Sequence, residues 1–139
     1  MPTFSKANAL RALRRPLTAS RALRALLRGA LVRARFRWSD RVRIGKSLFL
    51  VRRLVIRGPG SVVIGKRVQI DGSSHDVTLF TYSPDAELSI GDGSFLNGTR
   101  FGCHRRVRIG QRCILADCRI MDSGTHSVYP ERRDDPRYV

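Results

Sequence analysis

The sequence predicts a mainly β fold, a parallel β-helix built of hexapeptide repeats and preceded by an N-terminal amphipathic α-helix. An isoleucine-glycine step recurs four times after residue 40, and apolar residues follow these steps at intervals of six. A segment rich in leucine and arginine before residue 40 has the helical period instead. At 139 residues the chain suits one domain. We therefore divide it into an arm (1–40), a repeat body (41–126) and a C-terminal tail (127–139).

The repeat body is defined by its period. The isoleucines of the four steps lie 20, 26 and 19 residues apart, which is close to three hexads per turn. Residues at six-residue spacing in this body are Ile44, Leu50 and Ile56; Ile64 and Ile70; Ile90 and Leu96; and Ile109, Leu115 and Met121. A period of six fits neither an ordinary strand nor a helix, but it fits stacked coils of three short strands. The extra residues of the longest interval are expected in an outward loop within residues 72–87.

The arm is predicted to be an amphipathic helix with a leucine face. Apolar residues recur at helical spacing, and Ser20 is the predicted N-cap. The face comprises Leu23, Leu26, Leu27, Ala30, Leu31 and Ala34. Gly29 weakens the helix without breaking its pattern.

The charge of the chain is concentrated in this arm. The net charge is +16, and ten basic residues but no acidic residue precede Asp40. Three interpretations remain open for the arm. Packing of its leucine face on the repeat body is favoured, peripheral contact of residues 1–38 with an anionic membrane is second, and specific nucleic-acid binding is not expected because no reading motif appears.

The location expected for the chain is cytoplasmic, with peripheral contact to the inner face of the cell membrane. No apolar run approaches the roughly 18 residues needed to span a bilayer, and arginines interrupt every apolar run near the N-terminus. The cysteines are only three, an odd number with no C-x-x-C pair, and no signal peptide is visible, so a reducing compartment is expected.

The repeat body contains the motifs IGDGSFLN at 90–97, VRIG at 107–110, and Asp122-x-x-x-His126, which is followed by Glu131-Arg132. With these motifs it resembles the maltose and galactoside O-acetyltransferases, a branch of the hexapeptide-repeat acyltransferases. The resemblance covers roughly residues 41–133. It implies a left-handed parallel β-helix that forms a homotrimer. It also implies transfer of an acetyl group from acetyl-CoA, as co-substrate, to a hydroxyl of a sugar or glycan precursor, with no metal.

The site residues follow from the same resemblance. His126 matches the catalytic histidine, and imidazole has a pKa suited to accepting a hydroxyl proton near neutral pH. Asn97 matches an active-site asparagine, whose amide can hold the acceptor or a developing oxyanion. Asp122 and Arg132 are the further predicted acceptor contacts. No CoA-binding residue is identified, because the coils that bind CoA in the family follow the histidine. We therefore expect that the chain is truncated, that a separate chain supplies these coils, or that the protein no longer catalyses.

Two alternatives to this enzyme remain. The first is a non-catalytic β-helix module that binds a partner or a membrane through its basic arm. The second is a zinc-dependent carbonic anhydrase of the family that shares this repeat. That family requires two histidines five residues apart. Here the closest pair among His75, His104 and His126 is 22 residues apart, so zinc is not expected, and His75 and His104 are assigned structural roles.

Overall fold

The computed structural model describes residues 16–124 and 129–132 of the chain. Helix α1 (Pro16–Arg35) is followed by twelve strands in three parallel sheets of four strands each. Each sheet takes one strand from each coil, so the body is a parallel β-solenoid of four turns. The predicted mainly β class, with parallel coils behind an N-terminal helix, is confirmed.

Neighbouring strands of one sheet are one coil apart, and one strand from each of the other two sheets lies between them in the chain. Sheet A contains β1 (Val42–Ile44), β4 (Ser61–Ile64), β7 (Glu87–Ile90) and β10 (Arg106–Ile109). Sheet B contains β2 (Phe49–Leu50), β5 (Gln69–Ile70), β8 (Phe95–Asn97) and β11 (Ile114–Ala116). Sheet C contains β3 (Leu54–Arg57), β6 (Val77–Thr81), β9 (Arg100–Cys103) and β12 (Arg119–Met121).

The hexad residues form continuous ladders through the core. In sheet A the register aligns Ile44, Ile64, Ile90 and Ile109. In sheet B it aligns Leu50, Ile70, Leu96 and Leu115. Because each coil exposes an apolar edge that only the next coil covers, these ladders stabilise the stack as a whole.

The ladder of sheet C corrects one sequence prediction. It aligns Ile56, Leu79, Phe101 and Ile120. Met121 is therefore not the interior residue; it pairs in register with Gly102. The hexad fails here because only two residues, Asp117 and Cys118, separate β11 from β12.

The interval at residues 72–87 also differs from the prediction of one outward loop. Strand β6 crosses this interval, and its alternate residues are buried. The additional residues are divided between two loops, 71–76 before the strand and 82–86 after it. This division places a polar loop at each end of sheet C.

The recurrent glycine marks the corner between sheets A and B. A Cβ on Gly65 would lie 2.7 Å from the backbone nitrogen of Asp92, so no other residue allows the coils this close approach. Two residues after each such glycine the backbone has a left-handed φ, at Ser47, Arg67, Gly93 and Arg112. The isoleucine-glycine step thus specifies one tight corner, repeated in every coil.

Helix α1 packs on the first coil through small residues rather than through leucine. Ala25 and Gly29 are buried, and Val32 and Phe36 pack against the core. The predicted leucine face is exposed instead: Leu23, Leu27 and Leu31 are 59%, 55% and 70% exposed. The helix therefore packs on the repeat body as predicted, but not with the predicted leucine face, because the backbone of the first coil comes too close to the helix for leucine to fit between them.

The predicted N-cap of the helix is wrong as well. The described helix includes Ser20 within its second turn, so Ser20 is not the N-cap. No helix in residues 16–124 and 129–132 has the length and apolar character needed to cross a bilayer.

Candidate functional site

Asn97 occupies the last position of strand β8, at the corner between sheets B and C. Its neighbour Leu96 points into the core, so Asn97 is half-buried on the outer surface. Its Oδ1 accepts a hydrogen bond from the hydroxyl of Ser73 at 3.5 Å and lies 3.3 Å from the hydroxyl oxygen of Ser74. Within the described part of the chain its Nδ2 group has no acceptor. The amide is thus oriented with its donor side available.

Asp117 and His75 extend this polar surface. The hydroxyl of Ser74 donates to Asp117 Oδ1, and His75 Nδ1 lies 3.8 Å from the same oxygen. Both partners are open to solvent, with side chains 71% and 58% exposed. We call Asn97, Ser73, Ser74, His75 and Asp117 the Asn97 cluster.

Gly98 allows the cluster to form. It has a φ of +57°, and a Cβ there would overlap both the Ser74 hydroxyl and the Asp117 carboxylate. In the next coil the backbone nitrogen of Asp117 donates to the carbonyl oxygen of Asn97 at 2.8 Å. Consecutive coils and the 71–76 loop therefore meet at this one corner.

Four members of the Asn97 cluster were missed by the sequence interpretation. Ser73, Ser74 and Asp117 were not considered, and His75 was assigned a structural role. One signal could have found Ser73, Ser74 and His75: the longest interval between repeats contains the polar run 71–76, in the coil before the one that bears Asn97. Asp117 had no comparable signal, because only stacking brings it beside Ser74.

Asp122 closes the turn between β9 and β10. Its carboxylate accepts the backbone N–H groups of His104, at 2.7 Å, and of Arg105 and Arg106, both at 2.6 Å. Burial alone raises the pKa of Asp122, but these backbone donors outweigh it and hold the pKa below its ordinary value. The carboxylate is therefore ionised and engaged with the backbone, and its contact with an acceptor stays a prediction.

The structure does not bring Asn97 and Asp122 together. Asn97 precedes strand β9, whereas Asp122 binds the turn that follows the strand. Four residues of strand span about 13 Å at roughly 3.3 Å per residue. The two predicted acceptor contacts thus lie at opposite ends of sheet C within one chain.

Of the two remaining predicted site residues, His126 and Arg132, the structure describes only Arg132. His126 lies outside the described residues, so its role as the base stays a prediction. Arg132 ends a short 3-10 helix (Pro130–Arg132), and its guanidinium carbon lies 5.3 Å from the centroid of the Tyr129 ring.

A second polar surface lies at the Asp122 end of sheet C. The rings of Tyr82 and His104 stack with centroids 4.6 Å apart. An open cavity of about 620 Å³ beside them is lined by Ser83, Asp85, His104, Arg105 and Arg106. His75 and His104 therefore belong to different corners of the solenoid, and residues 16–124 with 129–132 contain no group of three or more His, Cys, Asp or Glu side chains suited to a metal ion.

Comparisons of the chain with protein-family models, with curated proteins and with solved structures found no match.

Proposed function

We propose that the chain is an acetyltransferase that transfers an acetyl group from acetyl-CoA to a hydroxyl of a sugar or glycan precursor. The observation that carries the proposal is the orientation of Asn97. Its oxygen accepts a hydrogen bond from the Ser73 hydroxyl and lies 3.3 Å from the Ser74 hydroxyl oxygen, and its Nδ2 group is left to donate to a hydroxyl or carbonyl oxygen. The location of this amide on a hexad solenoid agrees with the resemblance in sequence.

His126 is the proposed general base. The acceptor hydroxyl loses its proton to the imidazole as its oxygen attacks the acetyl carbonyl carbon. The C–S bond then breaks, the ester remains on the acceptor, and the imidazolium returns the proton to the departing thiolate. The Asn97 amide would donate to the oxygen on which negative charge develops, a type of contact worth about 10²- to 10³-fold in rate.

The test uses the full chain with acetyl-CoA and a panel of sugars, and thiol release is the measurement. His126→Ala is expected to lower kcat by at least about 100-fold, the usual contribution of a general base. Asn97→Asp keeps the shape but removes the amide donor, and it is expected to lower kcat by about 10²- to 10³-fold. His104→Ala is the matched control and is expected to retain activity. Equal activity of the His126→Ala and unaltered chains would rule out the proposed base.

The assembly and location form part of the same proposal. A homotrimer is expected from the resemblance, and light scattering on the purified chain measures its mass directly. The proposed location is the cytoplasm, peripheral to the inner face of the cell membrane, where lipid-linked sugar precursors would meet the basic helix.

A second function, a non-catalytic module that binds a membrane surface, is favoured by the outer face of α1. Leu23, Leu27 and Leu31 are exposed on a helix that contains five arginines and no acidic residue. Leucines that enter the acyl boundary beside arginines at anionic head groups are typical of helices that lie on membranes.

Vesicle binding separates this second function from simple charge attraction. Leu27→Gln with Leu31→Gln keeps the charge and is expected to weaken binding to phosphatidylserine vesicles by about 10-fold or more, since two large side chains no longer enter the acyl region. Ile114→Gln replaces an exposed apolar residue outside the helix and is expected to leave binding unchanged. Undiminished binding of the double variant would contradict insertion of this face.

A further inference from the structure

Four arginines surround an open cleft between helix α1 and the first coil. The cleft has a volume of about 830 Å³. Its lining residues are Arg21 and Arg28 of the helix, Val51, Arg52 and Arg53 of the corner after β2, and Ser73 of the 71–76 loop. Three separate segments of the chain thus contribute to one cleft.

The positions of these arginines are set by the fold. Arg21 and Arg28 are two helical turns apart and lie on the same side of α1. Arg28 donates a hydrogen bond from Nη1 to the carbonyl oxygen of Val51, which fixes the helix to the corner. On the other side, a Cβ on Gly72 would lie 3.4 Å from Arg52 Cβ, so the 71–76 loop stacks directly on the arginine corner.

The charge in the cleft is not neutralised by the protein. Within residues 16–124 and 129–132, no carboxylate lies within 4.0 Å of the guanidinium groups of Arg21, Arg28, Arg52 or Arg53. Four like charges held together repel one another, and an anion bound among them relieves that repulsion. Guanidinium groups bind phosphate with pairs of parallel hydrogen bonds, and a phosphate group carries up to two negative charges where a carboxylate carries one.

We propose that Arg21, Arg28, Arg52 and Arg53 form a binding site for a phosphate or diphosphate group, with Ser73 at its edge. The volume of the cleft lies in the range typical of small-molecule sites. Ser73 also donates to Asn97 Oδ1, so the cleft adjoins the Asn97 cluster through a shared residue. If the proposed acyl transfer is correct, on which this last step rests, the acceptor is a hydroxyl compound that carries a phosphate group.

The test compares two variants of the full chain with equal loss of charge. Arg52→Gln with Arg53→Gln removes two cleft arginines, and Arg57→Gln with Arg119→Gln removes two exposed arginines from outer positions of sheet C. Calorimetry with inorganic pyrophosphate measures a soluble ligand, and co-sedimentation with vesicles of phosphatidylcholine containing phosphatidic acid measures a lipid head group. The cleft variant is expected to lose at least 10-fold in affinity and the control variant less than 2-fold.

The outcomes decide both the site and the source of its ligand. Selective loss in the pyrophosphate arm supports a soluble phosphate ligand, and selective loss in the vesicle arm alone supports a lipid head group. Equal weakening of the two variants, or binding that neither pair of substitutions changes, overturns the site, because attraction by net charge then accounts for the affinity. Phosphate binding without any acetyl transfer would refute only the proposed function.

Discussion

The backbone of Gly29, in the middle of helix α1, lies directly against the backbone of Leu48 in the first coil. A Cβ on Gly29 would overlap the Leu48 carbonyl oxygen and lie 2.8 Å from its carbonyl carbon. Both residues are buried. This contact determines which side of the helix faces the solenoid, and consequently which side carries the exposed leucines.

We expect Gly29→Ala to destabilise the chain by about 1–3 kcal/mol, the usual cost of overpacking a tight contact. The sign of the change is diagnostic. On a free helix the same substitution would stabilise by up to about 1 kcal/mol, because alanine favours helix more than glycine does. Urea denaturation measures the free energy of unfolding, and a stabilised variant would show that α1 does not pack on the coil as described.

Asp122→Ala is expected to lower the free energy of unfolding by about 1–3 kcal/mol at pH 7, since three backbone N–H groups lose their charged acceptor. The folded-state pKa of Asp122 lies below its ordinary value of 3.8, so its contribution is present above that value. The contribution disappears as the pH falls through the lower, folded-state pKa. The free energies of unfolding of Asp122→Ala and of the unaltered chain, measured between pH 7 and pH 2, should therefore become equal at the acid end.

The control for this prediction is Asp76→Ala, which removes an exposed carboxylate with no hydrogen-bond partner among the described residues. Its stability should follow that of the unaltered chain across the pH range. If the difference in free energy of unfolding between Asp122→Ala and the unaltered chain stays constant down to pH 2, the ionised carboxylate does not have this role.

Substitutions of Phe101 and Phe95 provide a matched pair of variants that tests which side chains form the interior ladder. Phe101 is 2% exposed in the interior ladder of sheet C, whereas Phe95 is half-buried on the outer side of β8. Phe101→Ala is expected to destabilise by about 3–5 kcal/mol, and Phe95→Ala by about 1 kcal/mol. Thermal denaturation of the two variants measures the difference, and similar losses would mean that the register of sheet C differs from the one described.

The three cysteines are expected to react with a thiol reagent in two stages. Burial raises the pKa of the Cys103 thiol, and the charge of Asp122 raises it further. Since the thiolate is the reactive form, Cys103 should react last, after Cys113 and Cys118, which are partly exposed. Mass spectrometry of the folded chain over time gives the order, and rapid labelling of Cys103 without denaturant would be inconsistent with its buried position.

The interior of the solenoid could be predicted well because its determinants are local. Ile64 and Ile90 lie beside one another because each begins the same corner, and the glycine that follows is required by the close approach of the next coil. The period failed at Met121 because the hexad assumes six residues between ladder positions, and the last corner uses fewer. Corner length depends on the stacking of neighbouring coils, which a period alone does not contain.

The sequence by itself determined the parallel coils and the helical arm, because side-chain period and corner residues specify these features locally. The tertiary structure alone decided which groups surround Asn97, since Ser74 and Asp117 lie 43 residues apart and meet only when coils stack. It also decided that the helix faces the body with Ala25 and Gly29 rather than with leucine. A helical period identifies an apolar face, but the distance between two backbones selects the side chains that fit between them.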